Sequence, residues 1–423
     1  MRSKVKKKFL IIFTIFCVFA NVLNAKDSEK SRLEALAKLT KTMAIVENNY
    51  VDELSFSQIV DKAISGLMSN LDAHSSFMDE QAFNDTKIQT EGEFGGLGIT
   101  VGMKDGALTV IAPIEGTPAD KAGLKANDVI LRIDNNATFG ISIDEAVKKM
   151  RGKPKTSINL TIVRKGEMKP FDVKIVRDMI KVESVYAKMI EKDDILYLRV
   201  TNFDQHVTND AKKFIQENAK AKGIILDLRN NPGGLLEQAI GLANLFIGKG
   251  TIVSQKGRNK NENISYEADP KKKITNLPLA VLINSGSASA SEIVSGALQD
   301  TKRGIIIGEN SFGKGSVQVI LPIEDKEALR LTIAKYYLPS GRTIQAVGVA
   351  PDLVVFPGKV PADQNEFSIK EADLKKHLEG ELAKIEPVKS DSKNDDKIIT
   401  QKQVNDDIQL KTAIDTIKVL NIH

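Results

Sequence analysis

Two short stretches hold residues whose types and spacing could carry chemistry. The first is Asn284-Ser285-Gly286-Ser287-Ala288-Ser289-Ala290-Ser291-Glu292-Ile293. An apolar run, Leu279 to Ile283, precedes it and reads as a buried strand. Ile293, Val294, Ala297 and Leu298 follow at the spacing of one helix face. The small residues therefore fill a strand-to-helix turn, where a hydroxyl lies beside the free amides of a helix N-terminus. Such amides can hold the negative oxygen of a tetrahedral intermediate, so the setting suits a nucleophilic serine at Ser289. The same residues fit a plainer role. Ser289 and Glu292 make a Ser-x-x-Glu capping box, whose serine ordinarily does no more than cap.

The second stretch is Ser311-Phe312-Gly313-Lys314-Gly315-Ser316-Val317-Gln318. It sets one lysine in a glycine-bracketed turn ahead of an apolar strand. A lysine can take a proton from serine only when neutral. Its ordinary pKa near 10.4 must then fall by roughly 3, about 4 kcal/mol of differential interaction, which burial can supply. Gly313 and Gly315 let the backbone bend so that the amine points inward. A solvated surface lysine is the alternative.

Together the stretches resemble the C-terminal processing (tail-specific) serine peptidases. Ser-Ala-Ser-Ala-Ser-Glu is followed, 25 positions after Ser289, by the lysine of Phe-Gly-Lys-Gly-Ser-Val-Gln. The resemblance implies a catalytic dyad of Ser289 and Lys314, with Gln318 orienting the lysine. Gln318, four positions along the expected strand, falls on the face of Lys314. A third motif, Asp227-Leu228-Arg229-Asn230-Asn231-Pro232-Gly233-Gly234, ends a strand and opens a helix. The resemblance implies an oxyanion hole from an amide at Gly233 or Gly234 together with that of Ala290, and no metal or organic cofactor.

These turns need a frame. Residues 179–357 read as an α/β core, with strands at Ile195–Val200, Gly223–Leu228, Leu279–Ile283, Gly304–Ile307, Val317–Leu321 and Leu329–Tyr336. Helices are expected at Asn209–Ala219, Leu235–Phe246 and Ala290–Leu298. Residues 91–178 change to short strands and glycine turns. There Gly95-Gly96-Leu97-Gly98-Ile99-Thr100-Val101 resembles the carboxylate-binding loop of a PDZ domain, which assigns peptide binding to Gly96, Leu97, Gly98 and Ile99. Successive amides in such a turn form a nest for a terminal carboxylate, and the next strand offers an edge for a peptide. Residues 26–90 carry helical periodicity and resemble the region that mediates dimerisation in the family. Residues 358–423 form a charged tail with a helix expected at Ile408–Leu420 and a solvated linker at 389–397. The expected fold class is thus multi-domain α/β and β.

Residues 1–25 read as a secretory signal peptide or a membrane anchor, with Arg2, Lys4, Lys6, Lys7 and Lys8 ahead of an apolar run from Phe9 to Leu23. These five cations account for the formal net charge of +5, so the basic balance gives no argument for nucleic acid. The single cysteine, Cys17, lies in the same segment, which excludes thiol chemistry from an exported chain. Export to a bacterial periplasm, or to the outer face of the inner membrane, is expected, with protein C-termini as substrates and a homo-oligomer as the assembly.

Other readings have weaker support. Gly308-x-x-x-x-Gly313-Lys314 matches most of a phosphate-binding loop, but Gly315 replaces the magnesium-binding hydroxyl and a strand is expected next. A Ser-His-Asp hydrolase would have to use His206, since His377 and His423 lie in the tail and His74 in the helical region. A non-catalytic peptide binder retaining the fold fits poorly with the presence of Ser289, Lys314 and Gln318 together.

Overall fold

A computed structural model describes residues 30–104, 106–114, 116–191, 193–324, 326–360 and 398–422. The expected leader at 1–25 and the linker at 389–397 lie outside the described residues. The chain forms two compact units, one of residues up to Asp79 with Gln318–Thr332, the other of Glu80–Val317 with Ile333 onward.

The first unit begins with helices over residues 30–49 and Phe56–Ser69. Ser55 and Gln58 close the second by a reciprocal capping box, as Ser-x-x-Gln ahead of an apolar face should. Strand Ser76–Met78 then pairs antiparallel with strand Glu327–Tyr337, Ser76 opposite Arg330. Between helix and strand, the Asp72 carboxylate accepts the N–H groups of His74 and Ser75, so Asp72-Ala73-His74-Ser75 is a side-chain-closed turn.

Two of the sheets in the second unit have separate cores. Residues 99–176 carry a six-stranded sheet in which strands Ile99–Lys104, Ala107–Pro113, Val129–Ile133, Ser157–Val163 and Phe171–Val176 are neighbours in that order, with Asn136–Ala137 paired to Val129–Ile133. Ser157–Val163 alternates exposed and buried positions, the mark of a sheet packed on one face. Helix Ile143–Met150 contacts strand Ile99–Lys104, which is an edge strand of this sheet.

The larger sheet has seven strands. In spatial order they are Leu353–Val354, Ile305–Gly308, Leu279–Ile283, Gly223–Asp227, Ile195–Val200, Val185–Ile190 and Ile398–Ile399. All neighbours are parallel except Val185–Ile190 with Ile195–Val200. Every residue of Gly223–Asp227 and Leu279–Ile283 is buried, as befits central parallel strands covered on both faces. Helices Val207–Glu217, Leu236–Asn244 and Ala290–Asp300 contribute to one core. The expected tail helix, Ile408–Leu420, covers the other face through Leu410, Ala413, Ile414 and Ile417, packing on the chain's own sheet.

Candidate active site

Strands Gly223–Asp227 and Leu279–Ile283 are parallel neighbours, so the turns that leave them emerge at the same end of the sheet. That end is where α/β sheets ordinarily present their chemistry. The two turns are stitched together. Asn230 N–H donates to Asn284 Oδ1, and Asn284 Nδ2 returns a bond to Asn230 Oδ1, both at 2.9 Å. The Asn231 carbonyl accepts from Ala288 N–H at 3.0 Å and from the Ser291 hydroxyl at 2.9 Å. Beneath them Asp227, fully buried, takes Arg229 Nη2 at 2.6 Å and the Tyr197 hydroxyl at 2.6 Å. Burial and the Asp227 charge push the Tyr197 pKa up, so it remains a donor. Arg229 also meets Asp407 and Gln409, fastening the tail to this turn.

The serines of the second turn divide by their partners. Ser287 is buried and donates to the Leu228 carbonyl at 2.8 Å, while buried Ser291 donates to that of Asn231. Ser285 is exposed in the loop. Ser289 differs in its backbone. Ser55, Ser142 and Thr400, each in a capping box of this chain, hold extended φ/ψ of −70°/153°, −74°/159° and −77°/158°. Ser289 instead stands at φ 54°, ψ −110°. Such a conformation costs a non-glycine residue about 1–3 kcal/mol and resembles the sharp strand-to-helix turn that exposes the nucleophilic serine of α/β-hydrolases. Capping alone does not require it.

Glu292 holds this conformation in place. Fully buried, it receives four donors: Ser289 N–H at 2.7 Å and Lys314 N–H at 2.9 Å on Oε2, the Ser311 hydroxyl and Gly313 N–H, each at 2.6 Å, on Oε1. One carboxylate oxygen thus joins the backbone of Ser289 to that of Lys314. The lysine turn is further fixed by Phe312 N–H to the Ser287 carbonyl and Gly315 N–H to Gln345 Oε1, both at 3.0 Å. The Lys314 side chain is half-buried. Gln318 sits on strand Ser316–Glu324 in the first unit. The strand after Gly315 occupies the place where a phosphate-binding loop would need a helix.

Of the two glycines, Gly233 lies against Ser289. A Cβ there would come within 2.9 Å of Ser289 Cβ and 3.0 Å of Ala290 N, at a φ of 106°. Its own N–H is taken by Asn231 Oδ1 at 2.9 Å. The N–H groups of Gly234 and Ala290 have no acceptor among the described residues. Half-buried His206 starts helix Val207–Glu217, its ring 3.4 Å from the Gln205 amide. No cluster of three or more His, Cys, Asp or Glu that could hold a metal occurs among the described residues.

The sequence matches peptidase family S41 over residues 194–355, a PDZ domain over 95–175, and the N-terminal domain of the activating protease CtpB over 18–82. The carboxy-terminal-processing protease of Bartonella bacilliformis is 42% identical over 396 residues, 92% of this chain and 89% of that protein. The chain belongs to the carboxy-terminal processing proteases. Its relative in Bacillus subtilis, carboxy-terminal processing protease CtpA, is 33% identical over 364 residues, 84% of this chain and 78% of that protein. Among solved structures, a photosystem II D1 C-terminal processing protease is 25% identical, covers 75% of this chain and 92% of its own, and gives a TM-score of 0.43.

The protease is a serine peptidase with a PDZ domain. In that domain a groove of about 190 Å³ is lined by Phe94, Gly96, Leu97, Gly98, Ile99, Val101, Ile143, Val147, Met150 and Arg151. It includes all four residues of the expected carboxylate-binding loop. Gly98, at φ 76°, turns the chain into the edge strand, and a Cβ there would lie 2.3 Å from Thr117. Arg151 stands over the Phe94 ring, 4.9 Å from its centre.

Proposed function

We propose that the protease is an exported endopeptidase that binds protein C-termini in the PDZ groove and cleaves with Ser289 and Lys314. One observation carries this reading: the buried Glu292 oxygen that bonds to both Ser289 N–H and Lys314 N–H, beside a serine in a strained left-handed turn. Ser289 Oγ attacks the peptide carbonyl while Lys314 Nζ takes its proton, and that proton passes to the leaving amine. Water then opens the acyl-enzyme by the same route in reverse. The negative oxygen of each tetrahedral intermediate is held by the N–H groups of Ala290 and Gly234, the glycine whose N–H has no acceptor. Gln318 orients Lys314.

The groove favours a substrate whose final residue is apolar, since Leu97, Ile143, Val147 and Met150 line it, with the upstream backbone added to the Ile99–Lys104 edge. The basic and apolar segment at 1–25 supports export, with the chain working in the periplasm or on the outer face of the inner membrane. Leu33, Leu36, Leu39 and Ile45 are exposed on the helix at residues 30–49 and support self-association there. The test is cleavage of peptides that differ only in a free or an amidated C-terminus, by the wild-type chain and by Ser289→Ala and Lys314→Ala. Cleavage of the free form alone, abolished in both variants, is expected; undiminished cleavage by Lys314→Ala would sink the proposal.

A further inference from the structure

The turn at Asp72–Ser75 has no part in the chemistry above, yet it ends on Gln318 through the first unit. Gln318 Nε2 lies 3.1 Å from Thr332 Oγ1, and Thr332 Oγ1 lies 3.2 Å from Asp72 Oδ1. Ser75 Oγ, buried, donates to Asp72 Oδ2 at 2.7 Å and accepts from Thr332 N–H at 3.1 Å. The direction of each proton follows from what each group can do. Burial raises the Asp72 carboxyl, but the Ser75 hydroxyl, the His74 and Ser75 amides and Thr332 outweigh it and hold it below its ordinary range. Ionised, it can only accept. The single Thr332 hydroxyl proton is therefore committed to Asp72, and the lone pair left on Thr332 Oγ1 can only accept. The end of the Gln318 amide facing it must be the NH₂, and the carbonyl oxygen points the other way.

We infer that Asp72 and Thr332 are positioning residues that fix which end of the Gln318 amide is presented to Lys314. The inference rests on the proposed Ser289–Lys314–Gln318 centre. An amide whose two ends are not distinguished spends part of its time donating N–H to the amine lone pair that must take the Ser289 proton. A carboxylate two bonds away removes that ambiguity, and the threonine between them carries the polarity.

The test uses full-length Thr332→Val, Thr332→Ser, Gln318→Ala and the Thr332→Val/Gln318→Ala double variant, with kcat and KM measured separately on one peptide substrate and folding followed by thermal melting. Thr332→Val should lose about tenfold in kcat, the loss expected for one orienting hydrogen bond, with KM within about twofold. Thr332→Ser should return kcat to within about twofold of wild type. In the Gln318→Ala background, Thr332→Val should cost nothing more, since both changes remove one interaction. Wild-type kcat in Thr332→Val, or a loss that multiplies that of Gln318→Ala, would overturn the inference. If Thr332→Val does not fold, Asp72→Asn in the same two backgrounds replaces it, with the same loss expected and the same multiplication overturning it. Lys314→Ala, run in parallel, separates the two claims: activity in that variant defeats the proposed centre itself, whereas an inactive Lys314→Ala beside an unaffected Thr332→Val defeats only the role of Thr332.

Discussion

At the scale of single residues, Glu292 does more than its sequence pattern announces. The Ser-x-x-Glu spacing correctly led to the bond with Ser289 N–H, because a capping box is local and its partners are three residues apart. The other three donors come from Ser311, Gly313 and Lys314, which no periodicity links to Glu292. Glu292→Gln keeps the volume but turns one acceptor into a donor facing donors. We expect it to destabilise the chain by about 2–4 kcal/mol in denaturant unfolding and to lower kcat at least tenfold, as roughly 1–3 kcal/mol attends each unsatisfied buried group. Gly233 is the complementary case. Its motif was readable, but only contact distances and the bond from its N–H to Asn231 separate it from Gly234. Gly233→Ala forces a Cβ into Ala288 and Ser289 at a φ that disfavours side chains, and a kcat loss of at least about tenfold should follow with little change in KM.

At the scale of elements, long and strongly patterned segments were legible. Leu279–Ile283, Ile195–Val200 and Ile408–Leu420 all stand at the bounds their apolar spacing predicts. Strands Val185–Ile190 and Thr251–Gly257 escaped notice, because Lys188 and Lys256 interrupt their apolar runs. Helix Glu80–Glu91 buries no residue and so leaves no apolar stripe to find. The tail helix was expected to pack in a dimer, whereas its neighbour here is the chain's own central sheet. Ending the chain after residue 397 would uncover Ala280, Leu282 and Ile307 and forfeit the burial of Leu410, Ile414 and Ile417, on the order of 5 kcal/mol at roughly 1.5–3 kcal/mol each. A fall in melting temperature with loss of soluble protein is expected. In the PDZ groove, Val147→Glu sets a charge among Leu97, Ile143 and Met150. It should raise KM for peptides with a free apolar C-terminus by about tenfold or more, and narrow the difference between free and amidated peptides.

At the scale of the molecule, two carboxylates, Asp128 fully buried and Asp72 half-buried, set the acid limit. Asp128 is held below the ordinary carboxylate range because Arg164, at 2.7 Å, and the Lys125 N–H outweigh the burial that would raise it; Asp72 is lowered by its hydroxyl and amide donors against the same burial. Groups whose folded pKa is depressed stabilise fully above their unfolded value, near 3.9 for aspartate, and lose that contribution as pH falls through the folded one. Melting temperature should therefore change little through these groups between about pH 5 and 8 and drop below about pH 4, and Asp128→Asn should flatten the drop while lowering the plateau.

The shared oxygen of Glu292 has a bearing on how the protease comes into being. The N–H groups of residues 289 and 314 close on the same atom, and the serine turn without the lysine turn would leave the buried Glu292 charge short of three of its four donors. On the proposed reading, cutting power is an all-or-none property of the finished domain. A newly made chain with one turn set and the other loose has its serine and its lysine but not yet the joint that brings them together.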